Sequence, residues 1–144
     1  MRKFYTTLNM YLFMMFTLSA SIALGACQIE PTDADIAVKA DVQLQDSTEV
    51  AMNYWSRQLN NRWHWAKRGE CSLYIKYQMP ATMPRSKALG YGHEASGYVV
   101  ADNVAAVSLR DSSQVTAHEI GHLLGYAHTS NGLMAPVLRG REVK

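Results

Sequence analysis

A chain of 144 residues, 48% hydrophobic and 18% charged, suits one small domain built on one core. Fourteen basic and twelve acidic residues leave a net charge of +2, and Arg2 and Lys3 account for all of that excess. Residues 27–144 are therefore balanced at twelve of each sign, with no basic stripe, which excludes nucleic acid as a partner.

Residues 1–26 read as a targeting segment. Arg2 and Lys3 form a positive start, and an apolar stretch over residues 8–24 follows, broken only by Asn9, Thr17, Ser19 and Ser21. It ends in Leu24-Gly25-Ala26-Cys27, which resembles a bacterial lipoprotein box. The resemblance implies cleavage before Cys27, acylation of its thiol and new amino terminus, and a lipid anchor in the bacterial envelope membrane. Ordinary secretory cleavage after Ala26, giving a secreted or periplasmic soluble protein, is one alternative. An uncleaved membrane helix is another, since the stretch approaches spanning length. With Cys27 acylated, Cys71 is expected to be a buried thiol at a strand start; otherwise a Cys27–Cys71 disulfide becomes available.

Residues 27–45 read as a tether with room for a first strand, because Ile36, Val38, Val42 and Leu44 alternate loosely. Residues 46–144 hold the main domain. A helix is predicted over 46–60, with Asp46 and Glu49 in capping-box spacing and Val50, Ala51, Tyr54, Trp55 and Leu59 on one face. Trp55, Trp63 and Trp65 read as core and sheet-packing residues, with a carbohydrate platform as the sharper alternative. His64 between two tryptophans reads as structural or exposed. Period-two alternation predicts a strand over 72–79, with Leu73, Ile75, Tyr77 and Met79 on one face. Pro80, Pro84, Gly90 and Gly92 mark 80–92 as loop, and His93 reads as a loop residue near a cleft rim. Strands are predicted over 97–101 and 104–109, joined by a turn at Asp102 and Asn103. A second helix is predicted over 112–124, capped by Asp111 with Gln114, with Ala117, Ile120, Leu123 and Leu124 turned inward.

That second helix carries the chemistry. His118 and His122 are four apart, so both imidazoles share one helical face. Two such nitrogens can grip one Zn2+ ion at roughly 2.0–2.1 Å. Glu119 follows the first of them, where a general base for a water belongs. Gly125 lets the chain leave the helix in a left-handed turn, and His128 returns as third ligand with a fourth position open. Met134 follows in Gly132-Leu133-Met134-Ala135-Pro136.

This stretch resembles the metzincin zinc endopeptidases, whose signature is H-E-x-x-H-x-x-G-x-x-H followed by a Met-turn. His118, Glu119, His122, Gly125 and His128 meet each fixed position, and Met134 stands for the Met-turn. Leu133-Met134-Ala135-Pro136 looks closest to the matrixins, and Thr129 stands where matrixins carry serine. Pro136 occupies the place where astacins and serralysins carry a tyrosine ligand, so none is expected. The resemblance covers residues 112–136.

It implies a minimal metzincin-like α+β domain with a twisted mixed sheet, a backing helix and an active-site helix. It implies one catalytic Zn2+ held by His118, His122 and His128, with Glu119 as base and a protein or peptide as substrate. It also implies an edge strand bordering the cleft, for which residues 97–100 are the candidate. Only eight residues follow Pro136, where metzincins continue into a helix, and the 128–134 loop is short; both departures bear on the S1′ wall. Two other classes fit a zinc site: a peptide-recognition module without turnover, and a structural zinc domain. An intact Glu119 argues against the first, and the open fourth position argues against the second.

Overall fold

Short apolar runs build the centre of a five-stranded sheet in the computed structural model, which describes residues 27–85, 95–108 and 112–137. The strands are β1 (Asp35–Ala40), β2 (Arg62–Trp65), β3 (Leu73–Tyr77), β4 (Gly97–Ala101) and β5 (Val104–Val107). Their order across the sheet is β2-β1-β3-β5-β4. Neighbours are parallel except β4, which runs antiparallel to β5 at one edge. Two helices, α1 (Gln45–Leu59) and α2 (Ser112–Leu123), pack on each other and on the sheet. This is the α+β class that the sequence predicts.

Register decides which side chains meet the helices. Val38 lies opposite Leu73, Ile75 opposite Ala105, and Tyr77 opposite Val107. Ile36, Val38, Leu73, Ile75, Ala105 and Val107 share one core with Ala51, Met52 and Trp55 of α1 and Val115, Ala117 and Ile120 of α2. Burying such side chains contributes roughly 1.5–3 kcal/mol each, which is what fixes the register.

Several expectations shift. The segment read as a tether contributes β1, which pairs on both sides and buries Ile36, Ala37 and Val38. A 3₁₀ turn over Val42–Leu44 leads straight into α1, so Leu44 takes the capping position and makes no side-chain cap bond. Asp46 is thereby carried inside the first turn, and its predicted capping role is not realised. The other candidate cap, Asp111, lies outside the described residues, as do residues 1–26, His93 and Leu109. β2 was not predicted: it is four residues long and half-exposed at the sheet edge, too short for alternation to show. β3 ends at Tyr77, and Met79, placed by alternation on the buried face, is 59% exposed where the chain has left the sheet. Trp55 is core as expected, but Trp65 is 41% exposed at the end of β2.

The expectation of a free Cys71 thiol is corrected. Cys27 and Cys71 form a disulfide, with Cα atoms 5.3 Å apart. A sulfur in a disulfide cannot also carry a lipid, so the bridge is the alternative that the sequence leaves open for Cys27, and an S-lipidated Cys27 is the competing state. Cys71 is exposed rather than buried. The bridge sets Cys27 beside the β4–β5 turn, where Asn103 Nδ2 donates to the Cys27 carbonyl at 2.7 Å. No helix among the described residues is long and apolar enough to cross a membrane.

Candidate metal centre

Helical spacing brings His118 and His122 onto one face of α2, with ring centroids 4.6 Å apart. The helix then stops because Gly125 adopts φ +92°, a conformation that side chains rarely accept. The Gly125 N–H donates to the His122 carbonyl and the Tyr126 N–H to the Gly121 carbonyl, which closes the helix end and reverses the chain. His128 comes back toward the helix, its ring centroid 4.6 Å from that of His122 and 5.3 Å from that of His118.

The three imidazoles converge through the same atom. His122 Nε2 lies 3.0 Å from both His118 Nε2 and His128 Nε2. Bonds of 2.0–2.1 Å at tetrahedral angles place ligand nitrogens roughly 3.3 Å apart, close to this spacing.

Protonation supports the same reading. His118 Nδ1 lies 2.6 Å from the Leu133 carbonyl, and His122 Nδ1 lies 2.8 Å from the Tyr126 carbonyl. A carbonyl only accepts, so each Nδ1 must carry the proton, and a neutral ring then points a bare Nε2 lone pair at the cluster. Burial holds the His118 imidazole below its usual pKa; the neighbouring His122 and His128 add to that, against the opposing Leu133 bond. Burial also lowers His128, with His122 adding to it. The residues therefore fit a divalent metal: three convergent imidazole nitrogens, two of them on rings aimed by backbone carbonyls. His118, His122 and His128 form a group that could hold a metal ion.

Glu119 points away from solvent and is 5% exposed. Burial alone pushes its carboxyl up to about 7, so it can exchange a proton near neutrality. Its neighbour is the head of β4. A Cβ built on Gly97 would lie 2.8 Å from Glu119 Cγ and 2.9 Å from Glu119 Oε1.

Met134 is buried beside the second ligand. Its sulfur packs where Gly121, the residue before His122, lacks a side chain. The turn that carries it is held by the Thr129 N–H on the Met134 carbonyl at 3.0 Å and by Gly132 at φ +74°. β4 lies at the sheet edge beside α2, as the candidate edge strand requires.

Three contributors escaped the sequence reading. Leu133 and Tyr126 act through backbone carbonyls, which leave no side-chain signature. Trp55 was read as core only. Its indole N–H donates to the Ala117 carbonyl at 2.8 Å, and its ring stacks on Tyr126 with centroids 5.3 Å apart. It braces α2 immediately before His118 and steadies the residue whose carbonyl orients His122.

Neither a scan of protein-family models nor a search of curated proteins finds a match to this chain.

Proposed function

We propose that this chain is an exported zinc-dependent metalloendopeptidase. The observation that carries the reading is the convergence of His118, His122 and His128 through Nε2, on a helix that also buries Glu119. The Cys27–Cys71 bridge fits export, because disulfides persist in oxidising compartments.

His118, His122 and His128 would hold the ion. Zinc bound there supplies Lewis-acid polarisation of a peptide carbonyl and acidifies water, which a structural four-ligand site cannot do. The chain's own residues do the rest. Leu133 and Tyr126 accept the Nδ1 protons of His118 and His122, fixing the orientation of both rings with Nε2 toward the ion. Glu119 takes a proton from the attacking water and passes it to the leaving amine. Burial pushes that carboxyl up to about 7 in the metal-free protein, and a bound cation would favour the ionised form that takes the proton.

The test pairs metal analysis with digestion of a random peptide library. Wild-type protein should carry about one zinc per chain and cleave. Glu119→Ala should keep the zinc and lose cleavage by about 10²–10⁴-fold. A wild-type protein that binds zinc and cleaves nothing would favour the peptide-recognition module instead. Undiminished cleavage by Glu119→Ala would refute the assigned base.

A further inference from the structure

Gly97 begins β4 opposite Val107, a core residue, so its missing side chain would point at the helices. Its φ is not in the positive range that Gly69, Gly125 and Gly132 occupy. Backbone conformation therefore does not require glycine here. Glycine also weakens a strand, by entropy and by leaving nothing to pack, and its presence inside one marks close approach by another group. The approaching groups come from α2: a Cβ at position 97 would lie 2.6 Å from Val115 Cγ1, 2.8 Å from Glu119 Cγ and 2.9 Å from Glu119 Oε1.

Both walls are tied to the core. β4 is held to β5 by the Tyr98–Ala106 and Val99–Ala105 pairs, and the Ser108 N–H donates to the Ser96 carbonyl at 2.9 Å. Ala105, Ala106 and Val107 are fully buried. On the other side, Thr116, Ala117 and Ile120 of α2 are fully buried too. A side chain added at position 97 must be accommodated by Val115 and by the flexible end of Glu119.

We propose that Gly97 is a positioning residue for Glu119: the bare backbone at the head of β4 is the seat on which the carboxyl rests. The inference builds on the endopeptidase reading, in which Glu119 moves the proton, but the seat itself is a matter of packing. With the seat filled, Glu119 swings outward, the metal ligands stay in place, and the base no longer meets the water in the productive geometry. Misplacements of about 1 Å in such sites cost on the order of 100-fold in rate.

The experiment compares Val115→Ala with Gly97→Ala/Val115→Ala in the full zinc-loaded protein. Val115→Ala clears the first collision, so the double variant isolates the contact with Glu119 and keeps room to fold. Two readouts are taken. The first is carbodiimide labelling of Glu119, followed by peptide mass spectrometry. The seat predicts several-fold faster labelling in the double variant, because the carboxyl is expelled from its buried position. The second is the split between kcat and KM on a cleaved peptide. A fall in kcat of about 10–100-fold with KM and zinc content unchanged is expected. Equal labelling in the two variants overturns the seat, whatever the activity. Parallel loss of zinc, fold and cleavage also overturns it, by showing Gly97 to be a general packing position. Wild-type protein that cleaves nothing overturns the endopeptidase reading alone, since the labelling contrast still decides the seat.

Discussion

Replacing Cys71 with serine distinguishes two chemical fates of Cys27. The bridge closes a sequence separation of 44 residues that contains β1, α1 and β2. Loop-closure entropy for a loop of that size gives about 4 kcal/mol of stabilisation at 25 °C, with measured bridges usually at 2–4 kcal/mol. For a domain of this length each kcal/mol moves Tm by roughly 4 °C, so Cys71→Ser should lower Tm by about 10–15 °C. Thermal and urea unfolding should be followed at fixed free zinc, because bound metal raises apparent stability by mass action. Oxidised wild type treated with reductant should fall by the same amount, and Cys71→Ser should not respond to reductant. An acylated Cys27 predicts the reverse: one titratable thiol at Cys71, an added lipid mass, and no change in Tm on substitution. That second pattern would refute the bridge and restore the lipid anchor.

Other expected outcomes follow from single contacts. His122→Ala removes one of three converging nitrogens, so zinc content and cleavage should be lost together, as read by metal analysis and peptide digestion. Trp55→Phe keeps a ring over Tyr126 but removes the indole N–H that donates to the buried Ala117 carbonyl beside its helical bond; stability should fall by about 0.5–1.5 kcal/mol in urea titration, and zinc affinity should weaken. Gly121→Ala runs a methyl into the Met134 sulfur and should loosen the turn that orients His118, measurable as faster zinc loss to a chelator. The surface cluster around His64 should give a pH signature. Bonds to Glu70 and Asp35 raise His64 above 6.5, a contribution complete below 6.5 and lost as pH rises through the raised value. Arg62, then His64, lowers Asp35; the Lys67 N–H, then His64, lowers Glu70; these contributions hold above about 4 and are lost as pH falls through the lowered values. The cluster should therefore help most between about pH 4 and 6.5. His64→Gln should flatten the stability profile there, checked by urea midpoints at stepped pH.

How much of this was legible depended on where each instruction resides. The three histidines that could hold a metal were legible because helical spacing and one glycine determine their placement, and both are local. α1 and α2 were legible through apolar periodicity, and β3, β4 and β5 through alternation and a two-residue turn. The cap of α1 was misread because Asp46 and Glu49 satisfy the local pattern, while the preceding 3₁₀ turn starts the helix earlier. β1 was faint because its burial comes from partners on both sides, β2 and β3, that lie far along the chain. Cys71 was misjudged for the same reason: its partner is chosen by the placement of β3 beside the incoming amino-terminal segment. Asp35, His64 and Glu70 show the limit most clearly. Three scattered polar residues carry no motif, and only the parallel pairing of Asp35 with Arg62, two residues from His64, brings them together.

The short turn after His128 shows how so little chain can complete such a site. Met134 lies six positions after His128, and three tasks fall within that span. The Leu133 carbonyl orients His118, the Met134 side chain fills the hollow over Gly121, and the Thr129–Met134 bond closes the turn. Each task depends on the others. Gly132 at φ +74° aims the Leu133 carbonyl inward, and burial of Leu133, Met134 and Ala135 keeps it there. A longer loop would need its own packing to hold that carbonyl within 2.6 Å of His118 Nδ1. Here the core already supplies it, through Trp55 and Gly121. Inserting two glycines between Thr129 and Asn131 should therefore leave α2 and the sheet intact by circular dichroism. Zinc affinity should drop about 10–100-fold, the usual effect of losing a partner that orients a ligand. Unchanged zinc affinity in that insertion variant would show that His118 needs no orienting carbonyl, and the account of the turn would be wrong.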